Sequence, residues 1–257
     1  MMNTIKPLFT FLFILSFVNC FGQFAFNVQP VSTLKGKIDS IVTTTLYRYN
    51  SGLRDTTKLV ERLTNIYNKR KQLIESNNCS YIQPQHSGID ARPVKTLYIY
   101  DNNGNLIESN RYFTTGELWV KDTFFKNGSM VVAREYFCPN NQLTNTDTLK
   151  IDFFGRIKER DTYVRGVGLF TKSYFKYDEK GRLIVEDTFR GDGSLMFKHT
   201  CIYNVDGDIV EDNNPFGDRE VHTYKYEKYD KMNNWLKQTE YVNHQSRVIQ
   251  ERVIAYY

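Results

Sequence analysis

The sequence is poor in the residues that carry recognisable chemistry. It holds 4 cysteines, 4 histidines and 2 tryptophans in 257 residues. No cysteine sits in a CxxC, and none of His86, His199, His222 and His244 falls at a zinc spacing beside a second ligand. No GxSxG, P-loop or HExxH appears. These absences exclude the readily recognised redox, zinc, hydrolase and nucleotide-binding classes. No catalytic, cofactor-binding or metal residue is assigned, and the chain is read as a non-enzyme. His199, between Phe197 and Cys201, reads as a structural histidine. A net charge of +5, with no basic block interleaved with aromatics, argues against nucleic acid. The mixed composition, 40% apolar and 25% charged, excludes bulk disorder, collagen and a dense disulfide scaffold.

One apolar run is long enough to matter. Lys6 precedes the stretch from Leu8 to Val18, which suits a secretory signal and is too short to span a bilayer. Small residues at Cys20 and Gly22 place cleavage between Gly22 and Gln23. Acylation at Cys20 is the alternative, and Asn19 speaks against it. The expected organisation is a signal peptide over 1–22, a lead-in over 23–36 and one repeat domain over 37–257. No transmembrane helix is expected after cleavage. The product is read as secreted, periplasmic or cell-surface. Cys79, Cys138 and Cys201 remain, an odd number, and the spacing selects no disulfide pair.

What the chain has in quantity is aromatics, with 18 Tyr and 18 Phe, and regularly spaced turns. Ile66–Ser76 aligns with Ile99–Ser109. The pattern returns as Tyr177-Asp178-Glu179-Lys180-Gly181-Arg182-Leu183, as Tyr203 to Val210 and as Tyr229 to Leu236, with a degraded copy over Ile151 to Ile157. A second turn type, Tyr112 to Leu118 and Phe189 to Leu195, lies between these. The turn glycines at 104, 116 and 128 are 12 apart, room for one strand and a tight turn each. Asp or Asn after the aromatic can bond back to the turn, and Gly supplies positive φ. Tyr100 and Leu106 should therefore face each other across a hairpin, and the spacing of six continues through Tyr112, Leu118, Phe124, Met130 and Tyr136. Successive turns should alternate between the two edges of the sheet. Leu183, Val185 and Phe189 are expected on one face, and Arg182, Glu186 and Thr188 on the other. Glu108, Asp122 and Asp187 share parity with apolar neighbours, so the inner face is not cleanly dry.

These residues resemble the YD repeat of the RHS-repeat superfamily, in the short secreted form found in Bacteroidota. The matching cores are Tyr100-Asp101 to Gly104-Asn105, Tyr177-Asp178 to Gly181-Arg182 and Tyr229-Asp230 to Asn234-Trp235. The opening Leu34-Lys35-Gly36-Lys37-Ile38 and the closing Glu251 to Tyr257 are similar to the ends of such proteins. The departures are a missing glycine at Lys71 and Asn234, and Ile151 in place of Tyr. No self-cleaving core segment and no toxin domain is present, so the resemblance does not imply encapsulation.

The expected fold is all-β: an antiparallel up-and-down meander of about a dozen strands in a strongly twisted sheet that coils on itself as an open barrel or spiral. Loop insertions are expected near 50–62 and 77–92. The corresponding function is a secreted, non-catalytic binding or structural scaffold in the cell envelope, with an unidentified protein or glycan partner. The alternatives are an outer-membrane β-barrel, suggested by the signal and terminal Tyr257, and an accessory role beside a secreted toxin, by analogy with RHS proteins.

Overall fold

A computed structural model of the chain describes residues 35–50, 55–80, 94–113, 115–213, 221–242 and 244–257. The signal segment, the lead-in up to residue 34 and most of the 77–92 stretch lie outside them. The strands are β1 (Ile38–Asn50), β2 (Asp55–Tyr67), β3 (Leu73–Ser80), β4 (Val94–Tyr100), β5 (Leu106–Tyr112), β6 (Leu118–Asn127), β7 (Met130–Phe137) and β8 (Gln142–Ile151). They continue as β9 (Ile157–Val164), β10 (Gly168–Tyr177), β11 (Leu183–Arg190), β12 (Leu195–Tyr203), β13 (Ile209–Asn213), β14 (Val221–Tyr229), β15 (Trp235–Val242) and β16 (Gln245–Tyr256). A 3-10 turn, Cys138–Asn140, joins β7 to β8.

Each strand pairs antiparallel with its neighbours in sequence, and β1 also pairs with β16, so the sheet is a closed barrel. Ile41 faces Ile254 on one side of β1 and Asn65 on the other. Closure corrects the expectation of an open coil. A meander this wide has two edges of unpaired backbone, and only joining them satisfies both. The strand count also exceeds the expected dozen. The stretch 50–62 is not an insertion: Asn50 pairs with Asp55 and Thr43 with Leu63, so most of it is the body of β2.

The aromatic–Asp turns form as their residues dictate. Asp101 Oδ1 accepts the Asn105 N–H at 2.8 Å, the Gly104 N–H reaches Asp101 O at 3.0 Å, and Gly104 sits at φ +84°. The same backbone closure recurs at 68–72, 152–156, 178–182, 204–208 and 230–234. Where glycine is missing, Lys71 and Asn233 take the left-handed conformation, at φ 62° and 60°. The substituted position in the last copy is thus Asn233, one residue before Asn234.

Tyr100 faces Leu106, Tyr112 faces Leu118, Tyr177 faces Leu183 and Phe189 faces Leu195, as the spacing predicts. The series fails at β6–β7. Phe124 faces Ala133, and Asn127 faces Met130 across a tighter turn at Gly128. Strict alternation also fails in β11. The register shifts beside Tyr177 and Leu183, so Leu183 packs inward together with Glu186 and Thr188. Such a bulge adds one residue and resets the pleat.

Turns after even-numbered strands share one end with the start of β1 and the finish of β16, where the Tyr257 N–H bonds Lys37 O at 2.9 Å. This is called the turn end; it carries all the aromatic–Asp turns. The second turn type, at 113–117 and 190–194, lies at the far end, as expected. Near the turn end the inward face is apolar. One cluster joins Val131, Leu149, Ile157 and Phe175, and another joins Ile38, Ile41, Tyr67 and Leu73.

Candidate functional site

One pleat beyond those clusters the inward side chains become charged. Ser109 and Arg111 on β5, Asp122 on β6 and Glu135 on β7 converge because Ser109 stands opposite Asp122, Asp122 opposite Glu135, and Arg111 two residues along from Ser109 on the same face. Arg111 Nη2 lies 3.3 Å from Asp122 Oδ2 and 2.9 Å from Glu135 Oε2. Ser109 donates to Asp122 Oδ2 at 2.8 Å. Glu135 Oε1 accepts from Thr144 and Asn145 on β8 at 2.5 and 2.9 Å. Farther round, Thr162 donates to Asp147 at 2.5 Å, Arg160 bonds Glu186 at 3.0 Å, and the Ser173 and Thr188 hydroxyls are 2.6 Å apart.

These groups are shielded from water: Asp122 is 4% exposed and Arg160 2%. Burial outweighs the nearby Arg111 and lifts the Asp122 carboxyl to about 6. Its Oδ1 has no hydrogen-bond partner, which adds to the cost of ionising it. Burial raises Asp147 as well, against the pull of Arg160 and Thr162. A second inward group lies on β13–β15. His222 Nδ1 is 2.6 Å from Glu240 Oε1, and Tyr224 donates to Asp212 at 2.9 Å. The Arg252 guanidinium lies 3.4 Å from the Trp235 ring centroid, and burial draws it down to about 10.

Cys201 is buried, its thiol is pushed up to about 12 by that burial, and it lies 3.5 Å from His199 Nε2 and within hydrogen-bond reach of Tyr203. Cys79, Cys138 and Cys201 are free thiols. Among the described residues no group of three His, Cys, Asp or Glu side chains is placed to hold a metal ion. His86 lies outside them, and His244 occupies the β15–β16 turn at φ 64°. The sequence did not bring His222 and Glu240 together, since 18 residues and a hairpin register separate them. Asp122 is the inward acid that its parity with Val120 signalled, whereas Glu108 and Asp187 face outward.

The outer wall carries a belt of cross-strand ion pairs. Lys95–Glu75, Lys121–Glu108, Lys150–Glu159 and Lys172–Glu159 stand at 2.9, 2.5, 2.9 and 3.0 Å. Lys198–Asp187 and Lys237–Glu227 follow at 3.6 Å each. At the turn end the tyrosines form a ladder. The hydroxyls of Tyr100, Tyr177 and Tyr203 each donate, at 2.8 Å, to the carbonyl of the residue that follows the preceding aromatic–Asp turn: Leu73, Ile157 and Leu183. Phenylalanine could fill the same space but could not make that bond.

No protein-family model matches the sequence, and no curated protein matches it. Among solved structures the chain is similar to a porin-like protein from Bacteroides uniformis, with a TM-score of 0.55 at 11% identity over 86% of this chain and 99% of that one. A porin-like protein from Bacteroides vulgatus (TM-score 0.34, 10% identity, 84% and 98% covered) and the TcdB2-TccC3 complex (0.28, 12%, 81% and 15%) are more distant. The first likeness places the chain among closed, porin-like β-barrel folds and goes no further than the fold.

Proposed function

We propose that the chain is a porin-like closed β-barrel of the cell envelope that catalyses nothing. Its wall stands in water, its lumen is filled, and it acts as a binding or structural module for a protein or glycan partner. The belt of ion pairs on the outer wall carries this reading. A lysine on the lipid face of a membrane barrel costs about 2–4 kcal/mol at the bilayer midplane, and here charges recur on successive strands. The buried lumen side chains support a filled interior. The secretory-type leader and the porin-like fold support an envelope location. The recurring turn chemistry supports kinship with short YD-repeat proteins.

A second reading, an outer-membrane barrel, is the one that the closed wall, the even strand number and the likeness to a porin-like protein favour. Detergent phase partitioning of the chain from Gln23 onward, made without detergent, separates the two. The first reading expects monodisperse protein in the aqueous phase and no conductance in planar bilayers. Recovery in the detergent phase, with discrete conductance steps, would replace it with the second.

A further inference from the structure

We propose that the turn end of the barrel docks on an anionic phospholipid bilayer, with the Phe153–Phe154 tip entering the interface and basic side chains of neighbouring turns holding it there. This deepens the reading above by naming a surface on which the barrel rests, and it depends on that reading for a wall in water. Phe153 and Phe154 are 97% and 75% exposed at the apex of the β8–β9 turn. The Arg156 guanidinium lies 4.8 Å from the Phe154 ring centroid, but the hydrogen bonds that close the turn use neither ring. Asp152 holds the turn by accepting the N–H groups of Phe154 and Arg156, each at 2.9 Å, and Arg156 Nε at 2.7 Å. Sister turns place Lys69-Arg70, Asn102-Asn103 or Glu179-Lys180 at the same two positions. Val205, 89% exposed, and the exposed Met232 cap two further turns of this end.

The charge at this end complements anionic headgroups. Lys69, Arg70, Lys71, Lys126, Lys180 and Lys231 are exposed at or beside its turns, against Glu179 and Asp206. The carboxylates of Asp101, Asp152, Asp178 and Asp230 keep their charge but are bonded to N–H groups of their own turns, and Asp152 and Asp178 are paired with Arg156 and Arg182. Exposed aromatics with nearby cations suit an interface where buried apolar area and headgroup attraction add. Apolar tips that project singly round a ring fit a soft, level surface. A protein partner would instead present pockets to a contiguous apolar patch with a polar rim.

The test is co-sedimentation of the detergent-free chain from Gln23 with vesicles of phosphatidylcholine alone or with phosphatidylglycerol added. Binding is expected only to the anionic vesicles and should fall as salt rises. The Phe153→Ser/Phe154→Ser variant should bind at least about tenfold more weakly. Lys69→Glu/Arg70→Glu should weaken binding and flatten its salt dependence. Both variants alter exposed tips, and unchanged circular-dichroism melts would show that they fold. Binding to neither vesicle, or wild-type binding by the double Phe variant, overturns this proposal and leaves the barrel reading intact. Association that resists both salt and alkaline extraction, with or without the phenylalanines, marks an integral barrel and overturns both.

Discussion

Two levels of one lumen are built on opposite chemistry, although the same strands supply both. On β8, Leu149 is 0% exposed in the apolar plug, while Asp147, two residues earlier on the same face, belongs to the ionised layer. On β10, Phe175 joins the plug and Ser173 the polar layer; on β7, Val131 and Glu135 divide in the same way. The plug is held by area removed from water, which depends little on which apolar groups meet. The ionised layer is costly to bury and is satisfied only when each carboxylate meets its own guanidinium or hydroxyl. A slip of two residues would keep every strand's faces in place, yet it would strand those charges. The polar layer therefore fixes register, and the plug supplies most of the stabilisation.

Removing one charge from the polar layer should be the costliest change. Arg160→Leu leaves Glu186 and Asp147 buried without their cation, and a loss of about 3–5 kcal/mol in urea unfolding is expected. Leu149→Ala should cost about 3 kcal/mol through lost transfer energy and a cavity. A loss below about 1 kcal/mol for Arg160→Leu, with the full loss for Leu149→Ala, would break the comparison, because the charged layer would then bind nothing together.

The polar layer should also show in the response to pH. The Asp122 carboxyl is raised to about 6 in the fold from a value of 3.8. The folded state therefore holds this proton more tightly than the unfolded chain does. The resulting stabilisation is complete below about pH 4 and is lost as the pH climbs through about 6, a change on the order of 3 kcal/mol. Carboxylates held low at the turns, such as Asp152 and Asp178, shift stability the opposite way at more acidic pH, so the informative quantity is a difference. Stability of Asp122→Asn minus wild type, followed by urea melts, should rise between pH 4 and pH 6.5 and then level off. A flat difference would show that Asp122 is ionised in the fold as readily as in the unfolded chain.

Much of the wall was legible in the sequence, and its closure was not. Tyr100 facing Leu106 follows from symmetry about one turn, a local fact. The union of β1 with β16 joins residues more than 200 positions apart and has no local signal; Ile41 opposite Ile254 looks like any other apolar pair. Residues 55–62 resembled a loop because their polar Asp-Thr-Thr-Lys opening hides a strand paired on both sides. The buried layer was half-visible. Asp122 announced itself by parity with Val120, but Leu183 and Glu186 were assigned to opposite faces because a bulge changes the count without leaving a mark in the residue pattern. The Phe153–Phe154 tip sits in the degraded copy of the repeat, where the aromatic before the turn is Ile151 and both apex positions are apolar.

The smallest effect is expected outside, and it tests the solvent as much as the pair. Lys121 and Glu108 stand 2.5 Å apart on the outer wall, with the Lys121 side chain 37% exposed. In water such a pair contributes about 0–1 kcal/mol, less as salt rises. A double-mutant cycle with Lys121→Gln and Glu108→Gln should therefore give a coupling energy within that range, smaller in 0.5 M than in about 0.05 M salt. In a lipid-facing wall, removal of one partner would leave the other charge in hydrocarbon, and the coupling would be several-fold larger and blind to salt. The same measurement on the inner Arg111–Glu135 pair should give a larger and less salt-sensitive coupling, because both side chains are more deeply buried than the outer pair. If the outer and inner pairs returned equal couplings with equal salt dependence, the distinction between a wet wall and a dry, ionised lumen would fail.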